Sequence, residues 1–375
     1  MPAARTFISL RRARWGIAAL LVAVVSIAVA APPESSRPAA TSPPTGEQSP
    51  VVRPPLEIGQ QARVLLLGDA VVAAERADAS VELLLRRSFP DRRLSFELLE
   101  QPGDVATLPS RPADLEAFKE RVGRIAPTLV LVGVSVSADD KDSEQHRTEF
   151  REGFSQLLQA VAETGATTIV ITPQVDRADD VAATTAAIGQ VASELAADRS
   201  LRYLDLTRVS PLRAALAGKD ASPYAHLAHT LAREPGLARP QWRVDVDVPS
   251  GRQISRGTTV SNLSAKPTVV RFTAWDDFLP ATDASPGSQR VLRVTGLAPG
   301  RYTLRIDGEI VTSGRERDWQ RGVTLREGPD FDQAGTLEAA VLRKNGGDGE
   351  PSDRDETLIL RMARTVSRSY ELSVD

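Results

Sequence analysis

The chain contains no cysteine among its 375 residues. Disulfides, thiolate metal sites, a cysteine nucleophile and a lipid-bearing N-terminal cysteine are therefore excluded. Histidine is scarce as well. Only His146, His226 and His229 occur, which leaves few general bases of the usual kind. Basic charge is not in excess: 46 Lys and Arg stand against 49 Asp and Glu, a net charge of −3. That balance, with no basic stripe interleaved by aromatics, supplies no field for nucleic acid. What remains, 41% hydrophobic and 25% charged residues, fits a globular protein with large solvated faces. The length allows two domains with ancillary segments.

The clearest targeting signal is at the N-terminus. Arg5, Arg11, Arg12 and Arg14 precede an uncharged run from Gly16 to Ala30, and Ala28 and Ala30 give an A-x-A pattern before Ala31-Pro32-Pro33. The run is of signal-peptide length and short for the roughly 20 residues of a spanning helix. Residues 1–31 are read as a secretory signal peptide, the alternative being an uncleaved single-pass anchor with its arginines on the cytoplasmic side. Either reading places the bulk of the chain outside the cytoplasm: periplasmic, cell-surface or secreted. Residues 32–56, rich in Pro, Ser and Thr, cannot bury enough surface to fold and are expected to be a disordered linker.

The rest is organised around Arg63-Val64-Leu65-Leu66-Leu67-Gly68-Asp69-Ala70, an apolar run of strand length ended by Gly-Asp and followed by a helix-compatible stretch. Ala77, Val81, Leu84, Leu85 and Ser88 recur at helical spacing. Leu94–Leu99 reads as a second strand, Thr128–Val134 as a third, Thr167–Thr172 as a fourth and Leu201–Leu206 as a fifth. Between them lie helices opened by Pro112, faced by Phe150, Phe154, Leu157, Leu158 and Val161, and spanning Val181–Ala197. Tyr224–Arg233 closes the series. Strands alternating with helices imply a parallel sheet with right-handed crossovers, a three-layer αβα domain over residues 57–239.

Beyond Pro240 the period changes. Trp242–Val248 alternates apolar and polar residues, as do Thr268–Phe272, Arg290–Val294 and Arg301–Ile306. Turn signals separate these runs, so a small antiparallel β domain is expected. A short helix (Phe331–Lys344), a Gly/Asp/Pro-rich break and two strand-like runs, Thr357–Met362 and Ser367–Val374, complete residues 240–375. The aromatics Trp242, Phe272, Trp275, Phe278 and Tyr302 are read as the core of a small sandwich, the alternative being a carbohydrate-stacking platform.

Gly68-Asp69, Pro102-Gly103-Asp104 and His226-Leu227, set on this strand order, resemble the SGNH/GDSL hydrolases. The stretches Pro240–Asp245, Val291–Gly308 and Leu342–Asn345 resemble a subgroup with an appended β module. The resemblance implies a flavodoxin-like α/β domain, ester hydrolysis and no cofactor or metal. In the family a serine nucleophile follows Gly-Asp, a Gly and an Asn complete the oxyanion hole, and an Asp-x-x-His pair activates the serine. Here the nucleophile position is Ala70. Gly103 can still offer a backbone N–H, but Ser135 and Ser137 stand where Gly and Asn belong, and Pro223 replaces the Asp three residues before His226. The catalytic set reduces to His226 as a relic, with Asp69, Ala70, Gly103, Asp104, Ser135 and Ser137 lining the old pocket.

Other site readings stay open. Ser135 or Ser137 could serve as a displaced nucleophile, or simply cap a loop. Asp69 and Asp104 could form an acid/base pair, though in the family the first Asp organises the turn. His226 and His229 stand at i and i+3, a spacing compatible with two metal ligands, yet further ligands would be needed. His146 is expected to be exposed. The functional expectation is an exported, catalytically inactive SGNH-like protein that binds a ligand or partner, cell-envelope carbohydrate or an envelope protein. The alternatives are a weak or rewired esterase acting on acylated carbohydrate or lipid esters, and a structural envelope protein.

Overall fold

A computed structural model describes residues 54–100, 111–134, 144–172, 179–206, 227–237, 241–281, 289–346 and 353–375. All belong to one compact unit, Arg53–Asp375. The expected signal segment and nearly all of the linker lie outside the described residues. The linker's last residue does not. Leu56 is buried, and its N–H donates to the carbonyl of Pro235.

Five parallel strands form the first sheet: β1 (Gln61–Leu67), β2 (Arg93–Leu99), β3 (Leu129–Gly133), β4 (Thr167–Thr172) and β5 (Arg202–Asp205), in the order β2-β1-β3-β4-β5. Side chains alternate across a strand, and in β1 both faces are covered. Val64 and Leu66 enter one apolar cluster, while Leu65 and Leu67 enter the other. That is why β1 reads as an unbroken apolar run. Helices α1 (Asp69–Asp78), α2 (Ser80–Ser88) and α6 (Leu227–Leu231) cover the first face. Helices α3 (Pro112–Ile125), α4 (Glu144–Ala162) and α5 (Asp179–Asp198) cover the second. The domain is a three-layer αβα sandwich.

One helix expected over Ala77–Ser88 is instead two. The chain breaks at Ala79, which takes a left-handed φ of 51° with no Gly or Pro to announce it. The break is held by Glu75, whose buried carboxylate accepts the N–H groups of Val81 and Glu82 at 3.0 and 2.8 Å. It thereby satisfies orphan donors at the start of α2.

The C-terminal region is mainly antiparallel. Strands β6 (Trp242–Asp247), β7 (Arg252–Arg256), β10 (Arg290–Thr295) and β13 (Val323–Leu325) form one sheet in the order β13-β10-β6-β7. Its β6–β10 pair is parallel. Strands β8 (Thr258–Lys266), β9 (Val269–Asp276), β11 (Arg301–Ile306), β12 (Glu309–Arg315) and β14 (Ser367–Val374) form the other, in the order β12-β11-β14-β9-β8. Trp242, Phe272, Tyr302, Trp319, Tyr370 and Leu292 fill the core between them. Buried in that core is Arg290, bonded to Asp276 and Asp330, with the Trp242 indole N–H donating to Asp276 at 2.7 Å.

Two findings correct the sequence reading. The run Thr357–Met362 is not a strand but part of helix α9 (Asp353–Ala363), which buries Ile359 and Ala363 one turn apart. Helix α8 (Pro329–Asn345) is 17 residues long rather than short. Asp330 of α8 reaches the buried Arg290, but the apolar residues of both helices pack elsewhere. Leu337, Ala340 and Val341 of α8 and Ile359 and Ala363 of α9 pack with Ala79 and Leu83 of the α1–α2 corner. Around that contact a buried ion network is closed. Glu82 accepts Arg86 Nε at 2.7 Å and Lys344 Nζ at 2.6 Å, and Arg86 reaches Glu356 at 2.6 Å. A short helix α7 (Glu316–Arg321) between β12 and β13 seats Trp319 in the β core.

Candidate functional site

In the order β2-β1-β3-β4-β5 the chain steps from β1 to one side and then continues on the other. The carboxyl ends of β1 and β3 therefore flank the topological switch point, where open α/β sheets collect their ligands. Gly68 makes this corner. Its φ is 117°, its N–H donates to the carbonyl of Leu99 at the end of β2 (3.1 Å), and a Cβ there would stand 2.4 Å from the carbonyl oxygen of Gly133 at the end of β3. Three strand ends are drawn together around a residue that can have no side chain. Replacing Gly68 by alanine should cost about 2–4 kcal/mol, from a left-handed backbone and a backbone clash together. Urea unfolding measures it, and a loss under about 1 kcal/mol would show that β3 yields.

Helix α1 starts directly after this corner. Asp69 is exposed in its first turn, where a carboxylate favours the positive helix end. Ala70 follows, half-buried and packed against the first core cluster. Across the mouth, Glu100 just after β2 forms an ion pair with Arg76 of α1, both about half exposed. At the far strands Thr172 is buried, and the Tyr203 hydroxyl donates to the Gly189 carbonyl at 2.9 Å. What this described part can do chemically is limited. It offers a helix N-terminus, a carboxylate and a methyl group, but no hydroxyl or imidazole beside Ala70.

Of the residues singled out in the sequence, Asp69 and Ala70 stand together at the switch point. Gly103, Asp104, Ser135, Ser137 and His226 lie outside the described residues. His229 is half-buried on α6, and His146, expected to be exposed, is half-buried on α4. Sequence reasoning missed two polar features of α1. The Arg76–Glu100 pair is one. The other is Glu75, whose carboxyl burial pushes up to about 8 against the pull of its two N–H donors. The only trace of Glu75 in the sequence is an acid on the buried face of a short helix.

A cavity of about 310 Å³ lies elsewhere, on the outer face of β6, β7 and β10, lined by Asp245, Asp247, Arg252, Ile254, Arg293 and Thr295. Its carboxylates are already engaged. Asp245 is held by Arg243 at 2.6 and 2.9 Å, and Asp247 accepts from Thr295 at 2.9 Å.

The parallel sheet and its strand order define a three-layer, flavodoxin-like α/β fold carrying a β-rich C-terminal region. A solved gut microbial diltiazem-metabolizing enzyme shares this fold, with a TM-score of 0.65 at 14% identity over 85% of this chain and 99% of that one. Coverage that large extends well past the α/β part into the β-rich region. An acetylxylan esterase from Geobacillus stearothermophilus matches at a TM-score of 0.36 and 19% identity, over 47% of this chain and 94% of its own. An α/β hydrolase from the metagenome of Lake Arreo, Spain, matches at 0.35 and 16%, over 48% and 97%. Only the first likeness is close enough to bear on the fold. No protein-family model matches the chain, and no curated protein does.

Proposed function

We propose that this is an exported, non-catalytic protein of SGNH-hydrolase type, whose α/β domain (57–239) and β-rich domain (240–375) act in binding rather than turnover. The observation that carries the reading is the methyl group of Ala70, one residue into α1 beyond the Gly68 corner. That is the place where a hydrolase of this architecture needs its nucleophile. A methyl group has no lone pair, so no acyl-enzyme forms there. With Pro223 three residues before His226, the imidazole has no carboxylate from that position to fix its tautomer or stabilise its charge. Serine in place of the oxyanion-hole Asn withdraws the longer amide donor, and the loss of one such donor costs roughly 3–4 kcal/mol of transition-state stabilisation. By analogy with exported proteins of this architecture, cell-envelope carbohydrate or an envelope protein is the partner class.

The test is hydrolysis of p-nitrophenyl acetate and acetylated xylan by the purified full chain, with His226→Ala alongside. Equal background rates are expected. Ala70→Ser should also stay at background, because a serine hydroxyl without an oriented imidazole is a weak nucleophile. A parent rate ten times that of His226→Ala would defeat the reading and make Ser135 or Ser137 the nucleophile of a rewired esterase.

A further inference from the structure

Of the five aromatic residues that the sequence marks in the β-rich region, four are core. Trp242, Phe272, Phe278 and Tyr302 are no more than 6% exposed, whereas Trp275 is 55% exposed. The alternation of β9 explains the difference. Ala274 and Asp276 point inward and Trp275 points out of the sheet. Its partners across the neighbouring strands are Ser367 in β14 and Thr259 in β8. The next outward row is Ser369, Thr273 and Ser261, with Asn262 donating to the Thr273 hydroxyl at 3.4 Å. Toward the start of β9 charge enters in the third row, where Arg271 and Glu371 are paired at 2.8 Å. At the second row's far edge Asp307 accepts the Ser369 N–H and pairs with Arg368. In a chain with 25% charged residues, an exposed indole thus has uncharged hydroxyl side chains as its cross-strand partners and in the next row. The other strongly exposed apolar side chains differ. Ile254 sits in a cavity lined by arginines and aspartates, and Ile310 pairs with Arg305 on the edge strand β12.

We propose that the outer face of the β8-β9-β14 sheet around Trp275 binds an uncharged glycan chain. The indole face takes the C–H face of a sugar ring, an apolar contact aided by the ring's negative π surface. Thr259, Ser367, Thr273 and Ser369 each both donate and accept, as sugar hydroxyls do. Charge matching selects the ligand class. A nucleic acid or acidic peptide would require free cations, and the arginines of these strands are already paired, Arg271 with Glu371 and Arg368 with Asp307 and Asp330. A hydrogen-bonded sheet holds these groups in place before binding, so little ordering is needed. The inference uses residues of the β-rich region alone and does not depend on whether the switch-point site is dead.

Affinity electrophoresis of the full chain tests it, in native gels containing xylan, glucomannan or mixed-linkage glucan, with alginate as the charged counterpart. At least one neutral polymer should retard the parent. Trp275→Ala should weaken that retention by about tenfold or more, as loss of a central aromatic anchor does. Ser367→Glu, which keeps the indole but puts a charge beside it, should weaken it as well and carries the test if Trp275→Ala proves unstable. Equal retention of parent and variants overturns the proposal, as does retention by alginate alone or by no neutral polymer.

Discussion

Replacing Arg290 by methionine should lower the folding free energy by about 3–5 kcal/mol, the cost of leaving buried charges without their partner. The Arg290 side chain is 2% exposed, and Asp276 and Asp330 are 4% and 5% exposed. The guanidinium bonds to both, its NH1 meeting Asp330 at 2.6 Å, while its Cζ lies 5.2 Å from the Trp242 ring centre. Methionine preserves much of the volume, so the loss reports charge rather than a cavity. Asp276 would keep its bond from the Trp242 indole, and Asp330 its bond from Arg368 at 2.9 Å. Neither residual bond replaces a buried cation shared between two carboxylates. Urea unfolding followed by tryptophan fluorescence gives the number. A companion variant fixes its meaning: adding Asp276→Asn to Arg290→Met should recover part of the loss, because a neutral amide needs no counter-ion. If Arg290→Met costs less than about 1 kcal/mol, the network is solvated and the argument fails.

The same physics sets how much of the molecule is legible in its sequence. The five strands of the α/β sheet were placed within a residue or two because strands covered on both faces must be apolar throughout, as Val64, Leu65, Leu66 and Leu67 are. The break at Ala79 was invisible. No local residue demands it, and what holds it is Glu75 reaching the first N–H groups of α2. In the β-rich region β6, β9, β10, β11 and β14 were recognisable from their inward apolar residues. Strand β7, with its Arg252-Gln253-Ile254-Ser255-Arg256 sequence, buries no side chain and gives no such pattern. The Thr357–Met362 run was misread because short apolar stretches suit either a strand or a helix. Its buried residues, Ile359 and Ala363, are spaced for a helix, and the surface they meet comes from the other end of the chain. The candidate site is legible in proportion to its locality. Gly68, Asp69 and Ala70 follow from one strand and its turn. The Arg76–Glu100 pair depends on a fold that brings α1 beside the end of β2.

Contacts distant in sequence also join the two regions. Lys344 and Asn345, which the sequence marked only as part of a resemblance, both reach Glu82 of α2, Lys344 at 2.6 Å. The lysine ammonium and Arg86 lie within 6 Å of the Phe96 ring centre, so the α1–α2 corner is pinned by α8. A buried network of this kind adds little net stability, but removing one member leaves the others' charges uncompensated. The helix that begins at Asp69 thus runs into a corner set by the C-terminal region.

That corner should also respond to pH. Burial pushes the Glu75 carboxyl from 4.5 up to about 8, with the nearby Glu82 and Asp78 adding to the rise and the N–H groups of Glu82 and Val81 opposing it. A carboxyl whose pKa is higher in the folded state binds a proton there that the unfolded chain has already released. Its stabilising contribution is therefore complete below about pH 4.5 and is lost as pH rises through 8. Over that window the group's share falls by about 1.4 kcal/mol per pH unit, on the order of 4 kcal/mol between pH 5 and 8. Glu75→Gln removes the titration. It also turns an amide N–H₂ toward a backbone N–H, since both carboxylate oxygens are acceptors at the start of α2, and an unsatisfied buried donor costs about 1–3 kcal/mol. The variant should be weaker than the parent at pH 5, and its stability should change less between pH 5 and 8, so that the two curves converge or cross near neutrality. Every other residue is common to both proteins, so the difference between the curves isolates Glu75. Parallel curves over this range would mean that the carboxylate is already ionised in the fold and that its two N–H donors outweigh its burial.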